Sequence, residues 1–207
     1  LTVGGAQGSD GQVLTSTGSG VAWEDAAGGA SSINDLSDGT SNITNFANSI
    51  LISNDGGTGT LDAASHNTGL GWEVFDDLTS GDNNTGVGSG ALSKVTTGSS
   101  NTGIGYLSLE EHTTGNNNVA IGKDSLRTQT TATGNVSIGA NSLEDNTADN
   151  NTAVGNSALL QNTTGTENVA IGAEAGSANT TGNNNVFVGR DAGKANTTAG
   201  NNTFIGE

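Results

Sequence analysis

The sequence predicts an all-β fold, a parallel β-solenoid (β-roll) that winds one coil per 17 residues. Three observations predict it: a string recurring at that interval, columns of like residues within the copies, and a composition too lean for an ordinary core. The string N-x-x-[VIL]-G begins at Asn67, Asn84, Asn101, Asn118, Asn135, Asn151, Asn168, Asn185 and Asn202. Its closing glycines, from Gly71 to Gly206, are 17 residues apart except for one interval of 16. The 207 residues include 34 Gly but no Pro, Cys or Met, and only 31% are hydrophobic and 3% aromatic. A core of normal density needs more apolar mass. Abundant β-branched residues and the lack of proline argue against disorder, so order must come from coil stacked on coil.

Each column of the repeat has a physical reading. The residue before the closing glycine is always aliphatic: Leu70, Val87, Ile104, Ile121, Ile138, Val154, Ile171, Val188 and Ile205. Two residues earlier stands Thr or Val, which makes a short alternating strand. Between them lies Gly, Ala or Ser in seven copies, then Phe187 and Phe204. A column kept small is expected to face another backbone. A second large column, Phe75, Leu92, Leu109, Leu126, Leu143 and Leu159, gives way to Gly176 and Gly193. Phe187 and Phe204 are expected to fill the space so vacated. The Asn column and a Thr column are expected to hydrogen-bond up the stack, with glycines supplying positive-φ corners. The 16-residue copy is expected to lose its residue in the bend between Leu143 and Thr147, and charged bends are expected to be solvated corners.

Residues 66–207 are thus read as the solenoid, 1–27 as an N-terminal β-hairpin module, and 28–65 as a Gly/Ser/Asn-rich connector with short strands. The hairpin rests on Gln12–Thr15, a turn at Ser16–Gly20, and Val21–Trp23, with Trp23 packing on it or on a neighbouring chain. Asp38-Gly39 and Asp55-Gly56 mark turns in the connector. The chain starts at Leu1 rather than Met and reads as a fragment or processed piece. Two large aliphatic side chains per coil are thin support for 17 ordered residues. Association of several chains, three in number, through the small-residue column is the expected remedy. On this assignment the closing aliphatic column is dry, and Ile121→Asp is expected to abolish assembly.

The same composition excludes several functions. Without cysteine there are neither disulfides nor thiolate metal sites. No apolar run is long enough for a membrane helix, and nothing at the N-terminus resembles a signal peptide. Five basic against 21 acidic residues give a net charge of −16, with no Lys or Arg before Lys94. Nucleic acid would be repelled.

Candidate chemistry is sparse. His66 and His112 are the two imidazoles, and Glu110-Glu111-His112 is a weak metal candidate because adjacent residues rarely converge on one ion. Asp76, Asp77 and Asp82 could hold Ca²⁺, but solvated corners explain them as well. No stacked acidic pair suited to glycoside cleavage is evident, and no glycine string opens a phosphate-binding helix. The chain is therefore read as no enzyme, with no catalytic, cofactor-binding or metal residues and no cofactor. Trp72, Phe75 and Tyr106 are read as a hydrophobic cap on the open end of the roll, a carbohydrate-stacking patch being the alternative. The sequons at Asn162, Asn179 and Asn196 arise from composition.

The N-x-x-[VIL]-G copies resemble the NSVAIG repeats of left-handed β-rolls in the heads of trimeric autotransporter adhesins. The longer form NTTGNNNVFVGRDAGKANTTAGNNTFIG is similar to repeats in tail-fibre and virion structural proteins of marine bacteriophages. GSDGQVLTSTGSGVAW and SSINDLSDGT resemble segments that precede such repeats there. The resemblance implies a homotrimeric fibre on the virion surface. Its implied partners are copies of itself, other tail or baseplate proteins, and a host surface glycan or protein, without membrane insertion. Two alternatives are a bacterial trimeric surface adhesin and an ice-binding solenoid that uses threonine pairs such as Thr96-Thr97 and Thr113-Thr114.

Overall fold

A computed structural model describes residues 12–16, 21–25, 39–43, 46–52 and 62–207. The turn expected at Ser16–Gly20, the packing of Trp23, and the turns at Asp38-Gly39 and Asp55-Gly56 lie wholly or partly outside the described residues. The chain divides into two compact units, Leu1–Ser37 and Asp38–Glu207. In the first, β1 (Gln12–Ser16) pairs antiparallel with β2 (Val21–Asp25).

The second unit is the parallel β-solenoid. Strands β3 (Gly39–Ile43) and β4 (Phe46–Ile52) form an antiparallel pair, and β5 (Ala64–Ser65) joins β4. Nine three-residue strands follow: β6 (Thr68–Leu70), β7 (Thr85–Val87), β8 (Thr102–Ile104), β9 (Val119–Ile121), β10 (Val136–Ile138), β11 (Thr152–Val154), β12 (Val169–Ile171), β13 (Val186–Val188) and β14 (Thr203–Ile205). They stack in chain order, every pair parallel, and β6 lies on β4, so Ile50–Ile52 forms a rung before the first repeat. Ile121 and Ile138 are direct vertical neighbours. The described residues contain no helix.

The Asn column locks the coils together from inside. Asn118 Oδ1 accepts the backbone N–H of Asn135 at 3.0 Å and its side-chain N–H at 3.3 Å. Its own Nδ2 donates to Asn101 Oδ1 at 3.1 Å and to the Ala132 carbonyl at 2.9 Å. The same pattern links Asn84, Asn101, Asn151, Asn168, Asn185 and Asn202. All the asparagines of this column from Asn67 to Asn185 are fully buried. Buried amides are tolerable only when satisfied, and these are.

The closing glycine has two reasons to be glycine. Its φ lies between 125 and 143°, a region L side chains rarely adopt. A Cβ on Gly122 would also run into the carbonyl of Gly139 in the next coil, and the same holds down the column. The other left-handed corners are not mainly glycine, contrary to expectation. Asn83, Asn117, Asn150, Asn184 and Asn201 take φ between 56 and 61°, a conformation that asparagine tolerates well. Leu92, Leu109, Leu126, Leu143 and Leu159 take it too, at φ between 48 and 54°. Strain in the leucine column is accepted because that backbone aims each side chain into the core.

Which columns face inward differs from the sequence reading. The small middle residue of each strand is buried: Ala120, Ser137, Ala153 and Ala170 have no exposed surface. It meets the second column across a narrow interior, as where a Cβ on Gly103 would approach the Leu92 side chain. The small column therefore cannot carry association between chains. The closing aliphatic column points out, and Ile121 keeps 36% of its surface. The narrow bore is the reason: leucines from the opposite wall fill it, leaving the sheet room for only a methyl or hydroxyl. The expected exchange at the far end is present. Phe187 is fully buried against Gly176 and Gly193, and it stacks on Phe204 with centroids 5.4 Å apart and 8° between planes.

The short coil loses its residue at a different place. Leu143 to Thr147 keeps the usual spacing, with Thr147 N–H on the Thr163 carbonyl at 2.9 Å. Asn135 Nδ2 meets Ala148 O just as Asn118 Nδ2 meets Ala132 O. The gap therefore falls between Thr147 and Ala148, where Thr130 and Ala132 are separated by Thr131.

Asn118→Ala should destabilise the roll by about 3 kcal/mol, since the Asn135 N–H and the Ala132 carbonyl lose buried partners. Thermal unfolding followed by circular dichroism measures this; an unchanged midpoint would refute the ladder's structural role.

Candidate functional site: the outward sheet face

Inverting the strand assignment creates a face. With the middle residue turned in, positions one and three of every rung turn out. The first column is Thr68, Thr85, Thr102, Val119, Val136, Thr152, Val169, Val186 and Thr203, and the second is the aliphatic column from Leu70 to Ile205. Ile50 and Ile52 extend both by one rung. Ten rungs at about 4.8 Å make a strip on the order of 40 Å long. Its side chains are aliphatic or threonine throughout, with no charge, in a chain whose net charge is −16. Leu70, Ile104, Ile121, Ile138, Ile171 and Ile205 are among the most exposed large apolar residues described. A contiguous apolar strip of this kind on a polar protein marks an interaction surface.

Charge is kept on the corners. All five basic residues are ion-paired, and several pairs bridge adjacent coils. Lys94 meets Glu111 at 2.6 Å, Arg127 meets Glu110 at 2.9 Å, and Arg190 meets Glu207 at 2.9 Å. Lys123 pairs with Asp124, and Lys194 with Glu174 and Asp191. Partners of this kind hold the Lys94, Lys123, Arg127 and Lys194 side chains above their ordinary pKa values and the Asp191 carboxyl below its own. Exposed pairs contribute little stability, but they use up the cations and leave the remaining surface anionic.

The structure separates the residues grouped as candidate chemistry. The Glu110 and Glu111 carboxylates stay on the corner, whereas the His112 side chain lies fully buried in an interior column with Leu78, Val95, Gln129, Asn146, Asn162 and Asn179, which Asn196 continues to the part-exposed end. His112 Nε2 donates to the Gly115 carbonyl at 2.8 Å, and Gln129 Nε2 donates to His112 Nδ1 at 3.3 Å. Both ring nitrogens are thereby satisfied in the neutral form, and burial pushes the imidazole pKa below 6.5. His66 is exposed and contacts Ser65 Oγ at 3.1 Å. Asp82 accepts from Ser65 N–H and Oγ–H at 2.7 and 2.8 Å, an acceptor in a corner ladder rather than one of a carboxylate cluster with Asp76 and Asp77. No group of three or more possible metal ligands occurs among the described residues.

Sequence reasoning missed a second amide ladder. Asn162 Nδ2 donates to Asn146 Oδ1, Asn179 to Asn162 and Asn196 to Asn179, at 2.7 to 2.9 Å. These are the asparagines of the apparent sequons, and their amides are committed inside the roll. The signal was available as a 17-residue column seven positions after each closing glycine, but Leu78, Val95 and His112 begin it with unlike chemistry. The threonines Thr79, Thr96, Thr113, Thr147, Thr163 and Thr180 donate their hydroxyls to the next coil's carbonyl. Trp72, Phe75 and Tyr106 do not form a cap. Phe75 is core, whereas Trp72 and Tyr106 keep 48% and 51% of their surface. Compared with known protein families, curated proteins and solved structures, the chain shows no significant match.

The buried imidazole has a consequence for acid stability. Its folded pKa is below the unfolded value, so it carries no penalty above about pH 6.5, and stability falls as pH drops through that value toward the folded pKa. His112→Gln, which keeps a donor for Gly115, should remove that part of the acid sensitivity. Melting temperatures of the two proteins between pH 7 and pH 4.5 measure it, and parallel curves would contradict the assignment.

Proposed function

We propose that this chain is a structural fibre protein of a virion, a phage tail fibre or shaft, in which copies of the solenoid associate through the outward sheet face. The observation that carries the reading is the strip of β-branched and aliphatic side chains, ten rungs long and free of charge. Two features favour another copy of the same chain as its occupant. A rigid array repeating every coil rise is best matched by a second array of the same period. The like charges that would oppose self-association sit on corners away from the strip. Three rolls meeting around one axis would bury their strips together, and the resemblance of the repeats to trimeric adhesin heads and phage fibres supports three. Burial there adds apolar contact to a narrow bore that holds little more than one leucine or phenylalanine per coil beside Ala, Ser and Asn.

In this reading the protein is a shaft that bears or forms a host-adhesion surface at the virion exterior, and catalysis has no part in it. A bacterial surface adhesin of the trimeric type would use the same face. The ice-binding alternative loses support, because one threonine of its pairs, as Thr96 and Thr113, gives its hydroxyl hydrogen to a backbone carbonyl of the next coil.

Two substitutions on adjacent residues test the assignment. Ala120→Asp places a charge in the bore and should prevent folding, with loss of the β-sheet circular dichroism signal. Ile121→Asp places one on the strip; the coil should still form, but sedimentation should show dissociated chains. A sedimentation profile identical to that of the unmodified protein after Ile121→Asp would remove the strip as the interface.

A further inference from the structure

The column immediately after the closing glycines runs Trp72, Ser89, Tyr106, Lys123, Ala140, Asn156, Ala173 and Arg190. Its coils are in vertical register, since Gly90 N–H bonds Trp72 O at 2.8 Å and Leu107 N–H bonds Ser89 O at 2.9 Å. Trp72 and Tyr106 therefore stand two rises apart, about 10 Å, with a small hydroxyl residue between them. Both rings are about half exposed, although nothing in the coil geometry requires an aromatic side chain at this position.

The neighbouring column departs from its own pattern at the same place. Elsewhere it carries Glu73, Gly90, Asp124, Asn141, Ser157, Glu174 and Asp191, all at positive φ. In the Tyr106 coil it carries Leu107 instead, held at φ 54° and lying across the bare backbone of Gly90. The left-handed backbone is shared by the whole column, so what sets this coil apart is an aliphatic side chain on a partly exposed corner. Beside the rings, the Lys123–Asp124 pair supplies a donor and acceptors, and Ser89 supplies a hydroxyl.

We propose that Trp72, Ser89, Tyr106 and Leu107 form a carbohydrate-binding strip for an extended, uncharged glycan. Each ring offers a flat apolar face to the C–H face of a sugar, and the hydroxyl and ion pair between and beside them meet the sugar's hydroxyls. Two rings about 10 Å apart suit sugars that are not adjacent, so the ligand is an oligosaccharide rather than a single unit. The excess of acidic residues disfavours sulfated or sialylated chains. The site stands whether or not the chains assemble into a fibre.

Isothermal titration calorimetry of the full chain against a panel of uncharged hexasaccharides with β-1,4, β-1,3 and α-1,4 linkages tests it, with sedimentation run on every variant. At least one member should bind saturably. Trp72→Ala and Tyr106→Ala should each weaken that binding at least tenfold, Ser89→Trp should block it, and Trp72→Phe should retain most of it. Sedimentation should be unchanged throughout. Absence of binding to every member overturns the proposal, as does binding indifferent to these substitutions. A changed oligomeric state in Trp72→Ala also overturns it, assigning the ring to the contact between copies, while the Ile121→Asp result bears on the fibre reading alone.

Discussion

Register between coils is the constraint on which the rest of this structure depends, and the buried asparagine column sets it. A carboxamide carries both an acceptor and donors on a short, stiff stem. Placed in the bore, it can reach the backbone of the next coil only when its counterpart stands directly above. Slippage by one residue would strand the amides in a space with no water to receive them. The column thus penalises every misregistered stack, whereas the apolar contacts alone would tolerate several. Close approach of successive closing glycines adds a steric condition of the same period.

With the amides guarding register, the apolar part of the core can be small. The leucine column and the small sheet column share one narrow space, and the far end shows how closely they are coupled. Where Leu becomes Gly at Gly176 and Gly193, Phe187 and Phe204 rise from the opposite wall. Volume moves from one wall to the other, and the bore stays filled.

That exchange was legible in the sequence, as were the 17-residue period, the vertical pairing of like residues and the solvated corners. Direction was not. A three-residue strand reading large-small-large normally turns its large residues inward, and only the width of the bore reverses this. The reciprocal Leu-to-Gly and Ala-to-Phe changes held the clue, because columns that trade volume must face each other. His112 was misplaced for a related reason. Preceded by two glutamates, it reads as part of a polar corner, and only its alignment with Leu78, Val95 and Gln129 reveals an inward position. The exposed face followed from correcting the first error, so its residues were all visible beforehand while their role was not.

The amide ladders also give the rod a direction. In both of them the bond from one carboxamide to the next runs in one sense, an Nδ2–H of each coil donating to the Oδ1 of the coil that precedes it. A section cut through either ladder would therefore leave a carboxamide oxygen on one face and the N–H that met it on the other. Such surfaces mate head to tail and never like to like. An upended coil would set oxygen against oxygen across the joint, so polarity passes along the whole stack from the orientation of a single side-chain type.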